Sequence, residues 1–365
     1  MKIFLLTSQP LAPPWNGGDK NLARTLVLGA KDVDFTFFGG RHDPSPWPAQ
    51  HRRLLLDTRD RMPTTIEKLR VLAALAGQRH SADAVHMIIT LQNRFTPFVL
   101  RNLPLVRSSP WIATCPTGRG QPLRLLQAAT VVVAISRRTA RQLQRAGLMR
   151  VRHIPPGVDL HRFQPDEIEE GWKQLNIGEG PFVLFAGHHD DGGGLEAALD
   201  VVAQLRQRVR GVRLITAMRY RPSQQPEQLR RTLVSLASAR GMRGAVVQLS
   251  DIANMRAAIL ASHATLFQPH RLGLKMELPL TLIESLASGR PVVVSDVDAL
   301  SEIGEGPGVA VCRPRDPAVI DHLERLLTDS DYFQTCSVAA RGVATQRYDA
   351  AEMVESYREL YRDVA

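Results

Sequence analysis

Residues Glu277 to Glu302, ELPLTLIESLASGRPVVVSDVDALSE, run from an apolar helix through a glycine stop into a β-branched strand, with carboxylates at both ends. Glu284 lies in the first turns of that helix, and Ser285, Ala287, Ser288 and Gly289 keep the helix thin beside it. A doubly wound α/β domain shows this pattern where a ligand binds at the carboxyl edge of its sheet. Two glycine loops point the same way. Gly17-Gly18 follows the first apolar run and precedes a helical segment, where backbone N–H groups can approach an anion. GHHDDGGG, from Gly187 to Gly194, holds the equivalent place in the second half. Neither spells the dinucleotide fingerprint G-x-G-x-x-G or a Walker A loop. Each alone is also what a plain turn would show; the pair is more informative than either.

The elements that must position these residues alternate between strand-like and helical runs. Lys2–Thr7, Asp34–Phe38, Ala84–Ile89, Trp111–Thr114 and Thr130–Ile135 read as short buried strands, with a helix over Lys20–Leu28. Ser136 reads as the N-cap of a helix over Arg137–Ala146 that Gly147 ends. After the rigid turn PPGVD, at Pro155 to Asp159, the polar and acidic stretch from Gln164 to Gly180 reads as a linker. A second unit starts at Phe182–Phe185, with a helix over Leu195–Arg206 and strands at Val212–Thr216, Val246–Leu249, Ala264–Phe267 and Pro291–Ser295. Alternation of this kind predicts parallel sheets with right-handed crossovers in both halves. In Ala350–Val364, Met353, Tyr357, Leu360 and Tyr361 form one apolar helical face.

At 365 residues the chain exceeds what one hydrophobic core usually serves, so two domains are expected. Three cysteines, Cys115, Cys312 and Cys336, lie far apart without metal-ligand spacing, which fits a reducing, cytoplasmic setting. The first apolar run is too short for a signal segment, and no apolar stretch reaches the roughly eighteen residues of a membrane span. The formal charge of +10 is unevenly spread: residues 1–165 carry +15 and residues 166–365 carry −5. One half therefore attracts anions. Aromatic residues make up only 5%, and none interleave with the arginines, which ranks nucleic acid below phosphorylated substrates and anionic lipid. Solvated arginine-rich helices are the plain alternative.

Taken in order, these motifs resemble the retaining family 4 glycosyltransferases, group 1 enzymes of the GT-B fold, and the resemblance covers essentially the whole chain. VVVAIS at Val131–Ser136, followed by an arginine-rich helix and IPPGVD, is similar to that family's "VIAVS … IPNGVD" run. LIESLASGRPVVVSD is similar to "LLEAMASGRPVVASD", the most specific piece, and Gly17-Gly18 falls on the family's N-terminal glycine loop by the acceptor and the diphosphate. The resemblance implies two Rossmann-like domains, each a doubly wound parallel sheet, facing a cleft. Their expected extents are 1–165 on the acceptor side, a linker over 166–180, and 181–345 on the nucleotide-sugar side. A closing helix in 346–365 would return to the first domain. It further implies transfer of a sugar from a nucleotide sugar to an acceptor with retention. Glu284 would accept hydrogen bonds from the donor's ribose hydroxyls, and the helix start at Leu280, Thr281 and Leu282 would favour the diphosphate. Gly187 and Gly193 would approach the donor by backbone. His86, in AVHMII, and Cys115 fall near the acceptor or diphosphate loop.

The departures from the family bear on the chemistry. An arginine and a lysine that neutralise the leaving diphosphate are replaced here by His188 and Gly193. The earlier glutamate of the family's pair falls on Met276, with Glu277 one place off. The loop after Pro269 brings His270, Arg271 and Lys275, and Lys275 or Arg271 would supply the missing cation. Glu277 would either approach the sugar hydroxyls or cap the helix that follows it. His188, Glu277 and Lys275 are thus the expected catalytic groups. Neither a metal nor another cofactor is expected.

The expected partners are a nucleotide sugar and a glycan, lipid-linked or small-molecule acceptor, without nucleic acid. Arg137, Arg138, Arg141 and Arg145 recur at near-helical spacing, a face suited to an anionic membrane surface on the cytoplasmic side. The rival expectation is a non-catalytic sugar-nucleotide-binding subunit that has lost its diphosphate cations.

Overall fold

The computed structural model describes residues 1–7, 9–15, 17–40, 45–56, 64–78, 81–88, 110–120, 123–189, 192–218, 225–249, 254–273 and 276–365. They form two compact units. The first comprises Met1–Gly157, Leu274–Leu278 and Ala350–Ala365; the second comprises Val158–Gly273 and Pro279–Asp349.

The first unit is built on seven parallel strands: β1 (Lys2–Thr7), β2 (Asp34–Gly39), β3 (Arg52–Leu55), β4 (Ala84–Ile88), β5 (Trp111–Cys115), β6 (Val131–Ala134) and β7 (Val151–His153). Their order is β3-β2-β1-β4-β5-β6-β7. β5 and β6 are buried throughout, the burial expected of inner strands covered on both faces. The chain leaves β1 toward β2 and later returns to β1's other side as β4, so the order reverses between those two strands. Ser136 caps the helix Arg137–Arg145 as its sequence predicts, accepting from Thr139 N at 3.0 Å. The helix Ala350–Val364 belongs to this unit and packs on the helix Gly18–Gly29. A Cβ added at Gly29 would lie 2.7 Å from Val354 Cγ2, so glycine permits that close approach.

In the second unit six parallel strands follow the same logic: β8 (Phe182–Gly187), β9 (Arg213–Met218), β10 (Val246–Leu249), β11 (Ala264–Phe267), β12 (Val292–Ser295) and β13 (Val309–Cys312). Their order, β10-β9-β8-β11-β12-β13, reverses between β8 and β11. Residues 166–180, expected as a linker, are instead part of this unit. They hold the helix Ile168–Leu175, packed on the helix Met255–Leu260. Gly171 allows it, since a Cβ there would meet Ala261 N at 2.3 Å, and Trp172 Nε1 donates to Ala261 O at 3.0 Å. The acidic first turn that reads as solvated linker is the outer face of a docked helix. Arg341 ties the interior of the unit by donating to Phe163 O at 3.1 Å and Leu160 O at 3.2 Å.

Candidate functional site

Ligands of doubly wound sheets sit outside the carboxyl ends of the strands where the order reverses. In the second unit that point lies between β8 and β11, and the loops leaving both strands carry the residues singled out from the sequence. Gly187 ends β8 over an aromatic floor: a Cβ there would lie 3.0 Å from Phe185 Cζ, and the Phe185 and Phe267 rings stack at 6.3 Å. Gly193 precedes the helix Gly194–Leu205 with φ +72°, a left-handed conformation suited to glycine. The first-turn N–H groups of Gly194 and Leu195 have no acceptor among the described residues, leaving the positive end of a twelve-residue helix at this edge.

His188 is half-buried just after β8. His189 Nε2 pairs with Glu196 Oε1 at 3.1 Å, and the second oxygen of Glu196 is buried without a partner. From the other side, His270 donates its backbone N–H to Gly192 O at 2.9 Å, which sets its ring against Gly193. Sequence reading missed Gln268. It follows β11 directly, is 2% exposed, and neither its amide oxygen nor its nitrogen has a partner. A buried amide without partners is rare enough to need a reason, and a ligand at this edge would supply one.

Glu284 sits in the helix Leu280–Ala287. Its carboxylate is half-buried and receives no hydrogen bond among the described residues. Burial pushes its pKa up to about 7, with Arg162 pulling the other way. Pro279, at the N-cap, offers no side-chain cap, and the N–H groups of Leu280 and Thr281 have no acceptor among the described residues. Leu282 is different: its N–H already donates to Pro279 O at 3.0 Å. This helix start thus combines two unused donors with a carboxylate that lacks donors of its own.

The remaining residues lie in the first unit. Gly17 is the buried N-cap residue of the helix Gly18–Gly29, and a Cβ at Gly18 would lie 2.6 Å from Met276 Sδ. His86 is fully buried, with Nδ1 on Tyr361 Oη at 2.7 Å and Nε2 on Thr114 Oγ1 at 2.8 Å. Both ring nitrogens are therefore spent on buried partners, one in the C-terminal helix and one in β5, and burial depresses the imidazole pKa to about 3. Cys115, also fully buried, has its thiol pushed up to about 12 by burial and by the Glu277 charge, so no thiolate forms near neutrality.

Glu277 does not cap the helix that follows it, since that N-cap is Pro279. Its carboxylate lies in the first unit, accepting from Gly118 N, Ser136 Oγ and Thr139 Oγ1. Lys275 lies outside the described residues, as do Asp190 and Asp191. Among the described residues no group of three or more His, Cys, Asp or Glu side chains is arranged to hold a metal ion, and no helix is long and apolar enough to cross a membrane.

Two reversed-order parallel sheets, each with a glycine loop leaving its first strand, define the GT-B class of fold, and solved structures agree. Sucrose-phosphate synthase from Thermosynechococcus elongatus superimposes with a TM-score of 0.79 at 18% identity, covering 100% of this chain and 99% of that one. Anabaena HepE, solved in complex with UDP and glucose, gives 0.78 at 16% identity with full coverage of both chains. At such identities the likeness is one of fold. The second unit is more specific: residues 180–329 match the family model of the glycosyl transferases group 1. The phosphatidyl-myo-inositol mannosyltransferases of Mycobacterium tuberculosis and Mycobacterium bovis are 28% identical over 219 residues, 58% of this chain and 54% of theirs. The chain thus matches about half the length of these curated relatives.

Proposed function

We propose that the protein is a glycosyltransferase that takes a sugar from a nucleotide-sugar donor held at the β8/β11 edge of its second unit. The observation that carries this reading is Glu284. A half-buried carboxylate without hydrogen-bond donors, its pKa raised to about 7, is costly to keep unless a ligand supplies them. Adjacent ribose hydroxyls are such donors, one for each carboxylate oxygen. The unused N–H groups of Leu280 and Thr281, with those of Gly194 and Leu195 beside Gly187 and Gly193, suit the oxygens of a diphosphate. His188, His270 and Gln268 would add side-chain donors where the family carries cations, and Arg271 or Lys275 the charge.

Transfer proceeds with retention in this reading. The leaving phosphate takes the acceptor's proton on the face it departs from, and hydrogen bonds to the diphosphate stabilise its growing charge. No metal is required, so activity should survive chelator. The acceptor is a glycan or a lipid-linked anion. The name of the mycobacterial relatives supports the second, as does the exposure of Arg137, Arg138, Arg141 and Arg145 along one helix. In a reducing cytoplasm the protein would then work at the inner face of a membrane.

The test is release of nucleoside diphosphate from a panel of nucleotide sugars, UDP-glucose and mannose-bearing nucleotides included, with a lipid extract as acceptor. Glu284→Ala should weaken donor binding about tenfold or more, the loss of hydrogen bonds to a charged group. Binding of every donor without turnover would instead identify a non-catalytic subunit, and no binding at all would end the proposal.

A further inference from the structure

We infer that Glu277 is a positioning residue: its carboxylate latches the segment Met276–Leu278 within the first unit and thereby holds Met276 against the Gly17-Gly18 loop. Its effect on turnover rests on the proposed glycosyl transfer; the latch itself does not.

The geometry is that of a built anion site filled from within the chain. The helix Arg137–Arg145 presents its N-terminus to Glu277. Ser136 Oγ donates to one carboxylate oxygen, while Thr139 Oγ1, at 2.5 Å, and Gly118 N donate to the other. Ser136 and Thr139 are at most 1% exposed and Glu277 is 5% exposed, so water competes little for any of these bonds. These three donors are uncharged, and the helix end adds a favourable potential. Backbone adds a further tie, Glu277 N to Pro116 O at 3.0 Å. Gly118 must lack a side chain here, because a Cβ would lie 2.4 Å from Thr139 Oγ1 and 3.2 Å from Glu277 Oε1.

What the latch places is Met276, one residue earlier. Its thioether fills the space beside Gly18, at the start of the helix Gly18–Gly29, whose N-cap Gly17 has no side-chain cap of its own. The thioether limits the room beside Gly18. The shape of the first unit's glycine loop is therefore set by a residue that Glu277 fixes from the far side of the segment. A carboxylate so committed serves the reaction through Met276 and the loop, without touching sugar.

Two measurements test this. In hydrogen exchange, Glu277→Ala should accelerate amides 17–21, 117–119 and 136–140 by about tenfold or more, the factor for one lost hydrogen bond to a charged group. Amides of β11 and β12 in the second unit should be unchanged. Glu277→Gln, which keeps the size but turns one acceptor oxygen into a donor facing Ser136 or Thr139, should show the same pattern if Glu277→Ala fails to fold. In the second measurement, Gly18→Ala and Glu277→Gln are combined in a double-mutant cycle of stability. The added methyl collides with a pinned Met276 in the wild type and with a released one in Glu277→Gln, so the two effects should be non-additive. Unchanged exchange at residues 17–21 or strict additivity would overturn the latch. In turnover, Glu277→Gln should raise KM for acceptor several-fold with KM for donor unchanged, and a change confined to donor KM would also overturn it. If the wild-type protein turns over no donor, the glycosyl-transfer reading fails while exchange and the cycle still decide the latch.

Discussion

The ring of His270 fills the space that a side chain at Gly193 would need. A Cβ added there would lie 2.5 Å from His270 Nδ1 and 2.6 Å from His270 Cε1. The imidazole that occupies this space arrives from the loop after β11. The two positions are thus coupled: a lysine cannot be placed at Gly193 while His270 stays where it is.

Gly193→Lys should cost about 1–3 kcal/mol from the left-handed backbone alone, with the collision adding to it. His270→Ala in the same chain should relieve the collision and leave the backbone part. Urea unfolding of the two single variants and the double variant separates these contributions. Equal cost with and without the imidazole would show that the ring moves aside freely.

Glu284 gives a pH signature with a definite sign. Its folded pKa of about 7 lies above the ordinary value of 4.5, so the native state binds the proton more tightly than the unfolded chain. The carboxylate therefore costs nothing below pH 4.5, and its penalty grows as pH rises toward 7 and then levels off. Glu284→Gln should raise thermal stability at pH 8 and change little at pH 4.5. Its ceiling is about 3 kcal/mol from a shift of this size. A donor that hydrogen-bonds the ionised form should bind more tightly as pH rises from 6 to 8 in the wild type, and without slope in the glutamine variant. Nucleotide sugars suit this titration because their diphosphate is fully substituted and does not titrate there. A flat wild-type profile would separate Glu284 from the donor.

Sheets and glycine loops were legible in the sequence because buried parallel strands read as continuous apolar runs, FVLFAG and VVVA among them. The helix start at Leu280 was legible through the family resemblance of its segment. β3 was hidden: its sequence is RRLL, with both arginines exposed at the edge of the sheet. The docked helix Ile168–Leu175 was hidden by its acidic first turn, since its glycine contact depends on a backbone ninety residues away. The site residues divide along the same line. The placement of Glu284 in the first turns of a helix was readable because it depends only on its own helix. The settings of Glu277 and His86 were not, because Ser136 lies 141 residues from the first and Tyr361 lies 275 residues from the second.

His86 carries a stability prediction of the opposite sign to Glu284. Its pKa is depressed from 6.5 to about 3 by burial, so it stays neutral in the native state while the unfolded chain takes up a proton. Stability is fully present above pH 6.5 and is lost as pH falls toward 3, at about 1.4 kcal/mol per pH unit from this group. His86→Gln should flatten that slope. Tyr361→Phe, which removes the partner of Nδ1, should cost about 1–3 kcal/mol at neutral pH. Unfolding curves between pH 5 and 8 measure both, and an unaltered slope in His86→Gln would assign acid sensitivity to other groups.

The arginine face gives the last prediction. Arg137, Arg138, Arg141 and Arg145 are all exposed on one nine-residue helix, while its Thr139, Ala140 and Leu143 are buried. A lipid surface of negative potential attracts such cations by about 1 kcal/mol each, and salt screens the attraction. Flotation with vesicles containing anionic phospholipid should therefore recover the protein at low salt and release it at high salt. Neutral vesicles should recover little of it. Replacing Arg138 and Arg145 with glutamine should lower the recovered fraction by about tenfold or more, two such contributions lost together. Fold stability should be unaffected, because both side chains project from the solvent face. Equal recovery on neutral and anionic vesicles would assign these arginines to solvation of the helix and send the search for an acceptor away from the membrane.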